Sequence, residues 1–244
     1  MINIFVVCLG LVFGSFIAAY SYRYPRGIKI SKGTSFCDKC KRKISWYENI
    51  PVFSYLFLGG KCKTCKKAIS LRYPIIELST SIVFVLILQG QTLQGGAWNF
   101  IYIFSLLLIL EIIFIIDFEH QIIPDDFVFA GLFLALLINH KSLFINLFSG
   151  FLAATFLLSI YLITHGRGMG LGDVKFAVLG GMIVGINNLF VWMFSAFLTG
   201  AIIGIILILL GNAKLKSKIA FGPFLIIAIP IAFTVGNRFY EVFF

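Results

Sequence analysis

The sequence predicts an all-α polytopic membrane protein with about eight transmembrane helices. Of its 244 residues, 60% are hydrophobic, whereas ordinary soluble domains are roughly 45–50% apolar. Runs of about 20 mostly apolar residues, the length that crosses a bilayer as a helix, recur along the chain. These runs are continuous rather than alternating, which argues against a transmembrane β-barrel.

The charge distribution predicts how these helices are oriented. Thirteen of the 20 Lys and Arg residues lie between Arg23 and Arg72, a stretch with only two acids, Asp38 and Glu48. A basic segment of this kind also occurs in proteins that bind nucleic acid. Because it lies between two hydrophobic runs, we interpret it as a cytoplasmic loop that follows the positive-inside rule, and we expect no nucleic-acid partner.

Counting outward from this loop gives eight helices with both termini outside. The first run has no basic segment before it and no clear cleavage site after it, so we expect a retained helix rather than a signal peptide. Turn signals follow at Tyr73-Pro74, Pro124 and Asn187-Asn188. The predicted helices span residues 2–20, 75–89, 98–117, 127–139, 143–164, 174–186, 189–210 and 222–239. The other basic residues agree with this topology, because Arg167, Lys175, Lys214, Lys216 and Lys218 fall inside and only Lys141 and Arg238 fall outside.

Four of the five cysteines form two C-x-x-C pairs in the basic loop. Cys37 and Cys40 are separated from Cys62 and Cys65 by 21 residues, and two such pairs supply the four thiolates of a tetrahedral zinc site. Disulfides are disfavoured by the reducing side of the membrane, and a redox pair is a further alternative. We expect structural zinc in a small zinc-ribbon-like loop domain, and Cys8 in the first helix as a buried apolar residue.

Acidic residues in or beside membrane helices are costly and are therefore candidate functional groups. Asp117 ends the third predicted helix and Asp173 opens the sixth, and both of these helix ends face the cytoplasm in our topology. Two carboxyl groups at one depth can share a proton, so that one activates water and the other protonates a carbonyl. This pairing is the requirement of an aspartic peptidase.

Each acid also has a structural interpretation. Asp173 is a candidate N-cap of its helix, Asp117 a helix-end acid that reaches the interface, and Asp125 and Asp126 are N-terminal helix acids. Glu111 is a candidate for a hydrogen bond between helices or for a second site. A docking scaffold and a transporter are the rival functions. The sequence shows no inverted repeat of the kind that many transporters contain.

The glycines around Asp173 favour the catalytic interpretation. Gly168, Gly170 and Gly172 lack side chains and let another backbone approach closely, as an extended peptide substrate would. Lys175 follows in the same segment, either as a solvated interfacial cation or as a contact to a lipid headgroup or an acidic substrate residue.

Several segments together resemble the type IV prepilin peptidases, a family of bifunctional leader peptidases and N-methyltransferases of the bacterial inner membrane. They occur in the family's order as GSF (14–16), YRYP (22–25), CDKC (37–40), ISWYENIPVFSYLFLGGKCKTC (44–65), ISLRYPIIEL (69–78), IIDFEHQIIPDD (115–126), GMGLGDVK (168–175) and FGP (221–223). A GxGD motif together with WYENIP and paired C-x-x-C motifs is a specific combination.

The resemblance implies a function and assigns residues to it. It implies that the chain cleaves the basic leader of prepilins and pseudopilins and then methylates the new N-terminus with S-adenosylmethionine. It places the catalytic pair at Asp117 and Asp173, and links the tetracysteine loop to structure and to methyl transfer. Gly60 matches a glycine implicated in methylation, and Glu77 is a further guess for that activity. A peptidase without methyltransferase activity is the milder alternative.

The resulting expectation is a three-part chain. Residues 1–22 form the first helix, 23–73 a cytoplasmic tetracysteine domain associated with methyl transfer, and 74–244 a membrane aspartic peptidase domain. The expected partners are prepilin and pseudopilin substrates and the lipid bilayer.

Overall fold

A computed structural model of the chain describes residues 2–29, 35–89, 96–138, 142–212, 214 and 217–243. Eight long helices occupy the eight predicted positions, and the described residues contain no strand beyond two isolated bridges. The long helices are α1 (Ile2–Arg23), α3 (Arg72–Gln89), α4 (Gly96–His120), α5 (Asp125–Ile138), α6 (Leu143–Ile163), α7 (Leu171–Val184), α8 (Leu189–Leu209) and α9 (Gly222–Phe243), and α2 (Phe53–Phe57) is a short helix in the basic loop. The all-helical prediction is therefore confirmed.

Four helical segments within the described residues are long and apolar enough to cross a membrane by length and composition, and they belong to α1, α4, α6 and α8. A shorter apolar segment, Gly222–Gly236, belongs to α9. The chain is thus a multi-pass membrane protein. Three predicted connections lie partly outside the described residues: 90–95 of the predicted outer loop 89–96, residues 140–141 between α5 and α6, and Lys216 of the predicted inner loop 212–218.

The helices pack within two compact units, 1–104 and 105–244. In the first unit α1 packs along α3, and glycines allow the close approach. A Cβ on Gly10 would lie 2.5 Å from the Cα of Ser81, and one on Gly14 would lie 2.6 Å from the Cα of Glu77. Small residues at such contacts are typical of membrane helices. Cys8 is exposed on α1, so the prediction that it is buried is wrong: it lies on the outer face of a span.

In the second unit α6 packs along α7, and α8 along α9. Gly181 on α7 lies against Gly150 on α6, where an added Cβ would meet the Gly150 Cα at 2.8 Å. Trp192 is fully buried, and its indole N–H donates to the Leu225 carbonyl at 2.8 Å. This close packing fixes the positions of the helix ends that carry the acidic residues.

Candidate functional site

Asp117 lies near the end of α4, where only 4% of its surface is exposed. Its Oδ2 accepts a hydrogen bond of 3.0 Å from the backbone N–H of Gly222, the first residue of α9. A helix N-terminus carries partial positive charge and unpaired N–H groups, so it stabilises a carboxylate. Asp117 is therefore held by a second helix rather than extended to solvent.

Gly222 is a residue of this site that sequence reasoning missed. A Cβ at this position would lie 2.6 Å from the Asp117 Oδ2 and 3.2 Å from the Cδ1 of Ile123. The position therefore has room only for glycine while the carboxyl group stays in place. The segment FGP was part of the resemblance, and a glycine beside a proline at a helix start was its only local signal.

Asp173 is buried on the first turn of α7, with 8% of its surface exposed. The helix begins at Leu171, earlier than predicted, and Gly170 occupies the N-cap. The Asp173 Oδ2 accepts the N–H of Gly170 at 3.1 Å. Asp173 is thus the third helical residue and not the N-cap, although it does satisfy the N–H of the cap residue. Glycine has no side chain to cap with, so Asp173 supplies this hydrogen bond.

Ile123 links the two acidic segments within the 105–244 unit. An added Cβ on Gly172 would lie 3.1 Å from the Ile123 Cβ, and one on Gly222 would lie 3.2 Å from its Cδ1. One aliphatic side chain therefore lies against the backbones that flank Asp117 and Asp173. The two carboxyl groups are also close enough to interact electrostatically. The structure thus places in one buried region the two groups that the predicted topology puts at one membrane face.

The glycine segment before Asp173 is closely packed. The N–H of Gly168 donates to the Thr164 hydroxyl at 3.2 Å, and the N–H of Gly170 is taken by Asp173. Gly170 has an extended backbone, with φ −87° and ψ 151°. At Gly168 and Gly172 the absence of a Cβ allows close packing within the protein. Pairing of an extended peptide substrate with this segment stays a prediction.

Lys175 has a protein partner. Its Nζ lies 2.9 Å from both carboxylate oxygens of Asp125, which joins the first turns of α5 and α7. Both side chains are about half exposed, at 50% and 51%, so the pair contributes roughly 0–1 kcal/mol. Asp125 and Asp126 lie in the first turn of α5, which confirms them as N-terminal helix acids. The contact of Lys175 to lipid or substrate stays a prediction.

The four loop cysteines converge on one point. The Sγ atoms of Cys37, Cys40, Cys62 and Cys65 all lie within 4.8 Å of one another, and those of Cys37 and Cys65 are 3.9 Å apart. A zinc tetrahedron with Zn–S bonds of about 2.3 Å has S···S edges of about 3.8 Å. The cysteines are free thiols, and the 3.9 Å separation is nearly twice an S–S bond of about 2.05 Å. The cluster fits a structural zinc ion.

The two C-x-x-C pairs repeat one backbone structure. The N–H of Cys37 donates to the Arg42 carbonyl at 2.9 Å, and the N–H of Cys62 donates to the Lys67 carbonyl at the same distance. Lys41 and Lys66, four residues after these cysteines, both have φ 57°. An antiparallel bridge closes each turn, Phe36 with Lys43 and Lys61 with Ala68. Each pair is therefore a separately formed turn that presents two thiols.

The protonation of the cluster favours a thiolate at one position. The backbone N–H groups of Cys65 and Thr64 lower the pKa of the Cys62 thiol to about 6. The N–H of Lys67 lowers the pKa of Cys65, but burial and hydrogen bonds with the other thiols outweigh it and raise that pKa to about 11. Cys62 is thus the more acidic of these two thiols, and a bound metal would displace the protons of the thiols that it binds.

Gly60 has a conformational reason to be glycine. Its φ is +65°, which disfavours residues with a Cβ, and an added Cβ would lie 2.9 Å from the Tyr55 hydroxyl. Its carbonyl accepts the N–H of Ile69 at 2.7 Å and so helps to close the second cysteine turn. Glu77 is buried on α3 and accepts the N–H of Val52 at 2.7 Å. Both residues thus stabilise the loop, whatever their part in methyl transfer.

Glu48 fixes the WYEN turn, which is a 3-10 helix over Trp46–Asn49. Its Oε2 accepts hydrogen bonds from the Arg42 guanidinium at 2.7 Å and from the N–H of Ser45 at 3.1 Å. Burial opposes ionisation, but these two hydrogen bonds outweigh it and hold the pKa of Glu48 below its usual value. The turn leaves the Trp46 side chain 81% exposed. From the sequence, Glu48 was recognisable only as one of two acids in the basic stretch.

A cavity of about 290 Å³ lies within the 1–104 unit, beside the cysteine cluster. It is lined by residues from α1, the two cysteine turns, the WYEN and α2 segments, and the start of α3. Its wall includes Tyr22, Asp38, Tyr55, Tyr73 and Glu77. No sequence pattern indicates this cavity, because its walls come from six separate segments.

The fold and these sites define a helical membrane protein with a buried carboxyl pair and a tetracysteine loop. Two family models match the chain, the bacterial peptidase A24 N-terminal domain over residues 8–90 and the type IV leader peptidase family over residues 101–205. The chain belongs to the type IV leader peptidase family, which confirms the resemblance found in its sequence.

Curated relatives match along almost the whole chain. A prepilin leader peptidase/N-methyltransferase of Pseudomonas aeruginosa is 35% identical, with 96% of this chain and 91% of the relative covered. Proteins of the same name from Neisseria gonorrhoeae and Pseudomonas putida are 32% and 29% identical, with 94% and 95% of this chain covered and 89% and 90% of those relatives. No solved structure matches the chain.

Proposed function

We propose that this protein cleaves the basic leader from type IV prepilins and pseudopilins and then methylates the new N-terminal amine. The name shared by its relatives supports both activities. The observation that carries the peptidase assignment is the burial of Asp117 and Asp173 in one region, where Ile123 lies against Gly172 and Gly222. Two buried carboxyl groups that interact electrostatically suit aspartic peptidase chemistry.

The catalytic roles follow from the chemistry of such a pair. One aspartate, ionised, takes a proton from water, and the other, protonated, donates to the oxygen of the scissile carbonyl. The hydrogen bonds from Gly222 to Asp117 and from Gly170 to Asp173 fix one oxygen of each carboxyl group. The second oxygen of each is then oriented for water or substrate.

The protein acts in the bacterial inner membrane. Its basic loop supports a cytoplasmic position for residues 23–73, and this places the N- and C-termini outside. An apolar prepilin helix would then lie in the bilayer with its basic leader in the cytoplasm, and the scissile bond would lie at the inner interface. Substrates from pili and from type II secretion share this arrangement of charge and hydrophobicity.

Two cofactors belong to the proposal. Zinc, held by Cys37, Cys40, Cys62 and Cys65, would stabilise the loop, and the sulfur geometry fits it. S-adenosylmethionine supplies an electrophilic methyl group on a sulfonium. We assign methyl transfer to the tetracysteine segment, 23–73, and proteolysis to 74–244, with residues 1–22 as the first helix.

Cleavage of a purified prepilin in membranes tests the peptidase assignment. We expect Asp117→Asn and Asp173→Asn each to abolish cleavage, with insertion unchanged. Asp126→Asn is the matched control, because Asp126 is an exposed acid at the start of α5. Normal cleavage by both aspartate variants would refute the pair, and inactive wild type on several prepilins would favour a docking or transport role. Added methyl mass on the product tests the second activity.

A further inference from the structure

The backbone at Val52 is strained in the segment between Asn49 and Ser54, two residues that line the cavity of the 1–104 unit. Val52 has φ 61° and ψ −51°, and the N–H of Phe53 donates to the Pro51 carbonyl at 2.6 Å. This is a γ-turn with positive φ, a rare conformation that a β-branched residue strongly disfavours. Such strain persists only where the surroundings impose it, and it is concentrated at functional sites.

Glu77 supplies the contact that holds this turn. Its Oε2 accepts the N–H of Val52 at 2.7 Å, and the carboxyl group also receives a hydrogen bond from the Ser15 side chain. The residue is 7% exposed, yet it lines the cavity together with Ser15. One buried carboxylate thus reaches both the strained turn and the cavity, which a purely structural helix residue would not need.

The cavity has the size of a pocket for a small molecule. Its volume of about 290 Å³ lies near the lower end of the roughly 300–1,000 Å³ typical of ligand pockets. The rings of Tyr22, Tyr55 and Tyr73 contribute to its wall. Aromatic faces of this kind stack on a purine and attract a cation.

The charged groups of the wall suit a ligand with charges of both signs. Glu77 and Asp38, which is hydrogen-bonded to Tyr22, offer carboxylates. Glu48 also lines the cavity and is paired with Arg42. The other cations of the wall are Arg23, Lys39, Lys63 and Lys67. S-adenosylmethionine carries a sulfonium, an ammonium, a carboxylate and a purine, and this wall presents a counterpart to each.

We propose that this cavity is the binding site for S-adenosylmethionine, with the Glu77 carboxylate facing the sulfonium of the methyl donor and holding the Val52 turn between Asn49 and Ser54, which line the cavity. The assignment rests on the proposed methyltransferase function. It also gives the zinc cluster a role, because Cys37 and Cys62 line the same cavity and a folded cluster would keep its wall in place.

Calorimetric binding to the purified full-length protein in detergent, loaded with zinc, tests this site. The probes are S-adenosylmethionine and S-adenosylhomocysteine, which differ by a methyl group and the sulfonium charge. In Glu77→Gln the amide oxygen can still accept the Val52 N–H, so the turn is kept while the charge is lost. We expect the Kd for S-adenosylmethionine to rise by about tenfold or more and that for S-adenosylhomocysteine by at most about threefold.

A second variant tests the cavity itself. Ala19 lines it, so Ala19→Phe should fill it and weaken binding of both probes by about tenfold or more. Ala130→Phe, on the exposed surface of α5, is the matched control and should bind normally. The assignment is overturned if the Kd values are unchanged in Ala19→Phe. It is also overturned if Glu77→Gln leaves the Kd for S-adenosylmethionine unchanged, or raises the Kd values of both probes equally. Zinc content and thermal unfolding show whether each variant is folded.

Failure of this site and failure of the proposed function are separate outcomes. Methylation of a cleaved prepilin by wild type is measured in parallel by mass. If wild type methylates and both cavity variants bind as wild type does, the site is wrong and the function stands. If wild type methylates no prepilin, the methyltransferase proposal itself fails.

Discussion

Replacing Gly222 with alanine would test whether the position of Asp117 depends on the start of α9. An added Cβ would lie 2.6 Å from the Asp117 Oδ2, which is 0.8 Å short of the 3.4 Å at which ordinary contact begins. The neighbours are the carboxyl group and Ile123, so either the carboxyl group rotates away or α9 moves. In both cases the 3.0 Å hydrogen bond from Gly222 is lost or weakened.

The size of the effect follows from that hydrogen bond. A hydrogen bond to a charged group contributes about 1.5–3 kcal/mol, which corresponds to a loss of about 10- to 150-fold in kcat/KM if it acts fully on the reacting carboxyl group. Overpacking costs about 1–3 kcal/mol of folding free energy. We therefore expect Gly222→Ala to insert normally, to unfold at a somewhat lower temperature, and to cleave at least about tenfold more slowly.

Gly204→Ala on α8 is the matched control, because its Cβ would lie 3.7 Å from the Ile219 Cδ1, an ordinary contact. Cleavage rates in proteoliposomes and unfolding temperatures are measured for both variants. Cleavage by Gly222→Ala at the wild-type rate would refute the reasoning. So would an equal loss in Gly204→Ala, since the effect would then reflect any extra methyl group in the bundle.

Three further predictions concern the loop and the ion pair. Gly60→Ala should lower zinc affinity and loop stability more than Gly59→Ala. Both positions have positive φ, but only at Gly60 would an added Cβ meet a tyrosine, Tyr55, within 4 Å. Equal effects of the two substitutions would show that backbone strain alone is the cause. Cys37→Ser should remove zinc, measured by metal analysis of the purified protein, and unchanged zinc content would refute the metal site. A double-mutant cycle on Asp125→Asn and Lys175→Met should give a coupling of about 0.2–1 kcal/mol in thermal stability, and a coupling several times larger would contradict the half-exposed geometry.

The long helices were predictable because a bilayer demands continuous apolar runs, and these are visible without any tertiary information. The boundaries of the helices were less predictable. The predicted start of the sixth helix at residue 174 missed the turn that begins at Leu171, since Gly170 lacks the side chain that usually marks an N-cap. The proximity of Asp117 and Asp173 followed from topology, because both predicted helix ends faced the same side.

Other parts of the sites depend on tertiary contacts that leave no periodic signal. Gly222 is required by the carboxyl group of Asp117, 105 residues earlier in the chain. No local sequence pattern indicates this contact. The two C-x-x-C pairs were visible, but the left-handed backbone after each pair was not, because Lys41 and Lys66 occupy these positions rather than glycine or asparagine. The turn at Val52 was hidden for the same reason, since valine is typical of strands.

The contact of Ile123 with both Gly172 and Gly222 has an evolutionary consequence. The three positions share one small volume beside the two aspartates, with added Cβ distances of 3.1 and 3.2 Å to the same side chain. A substitution at one of them therefore changes what the others tolerate. Ile123→Gly would remove the Cβ that an added methyl group at 172 would meet, and so convert a harmful change into an acceptable one, whereas position 222 would remain blocked by Asp117. Which residue is tolerated at 123, 172 or 222 therefore depends on the residues at the other two positions.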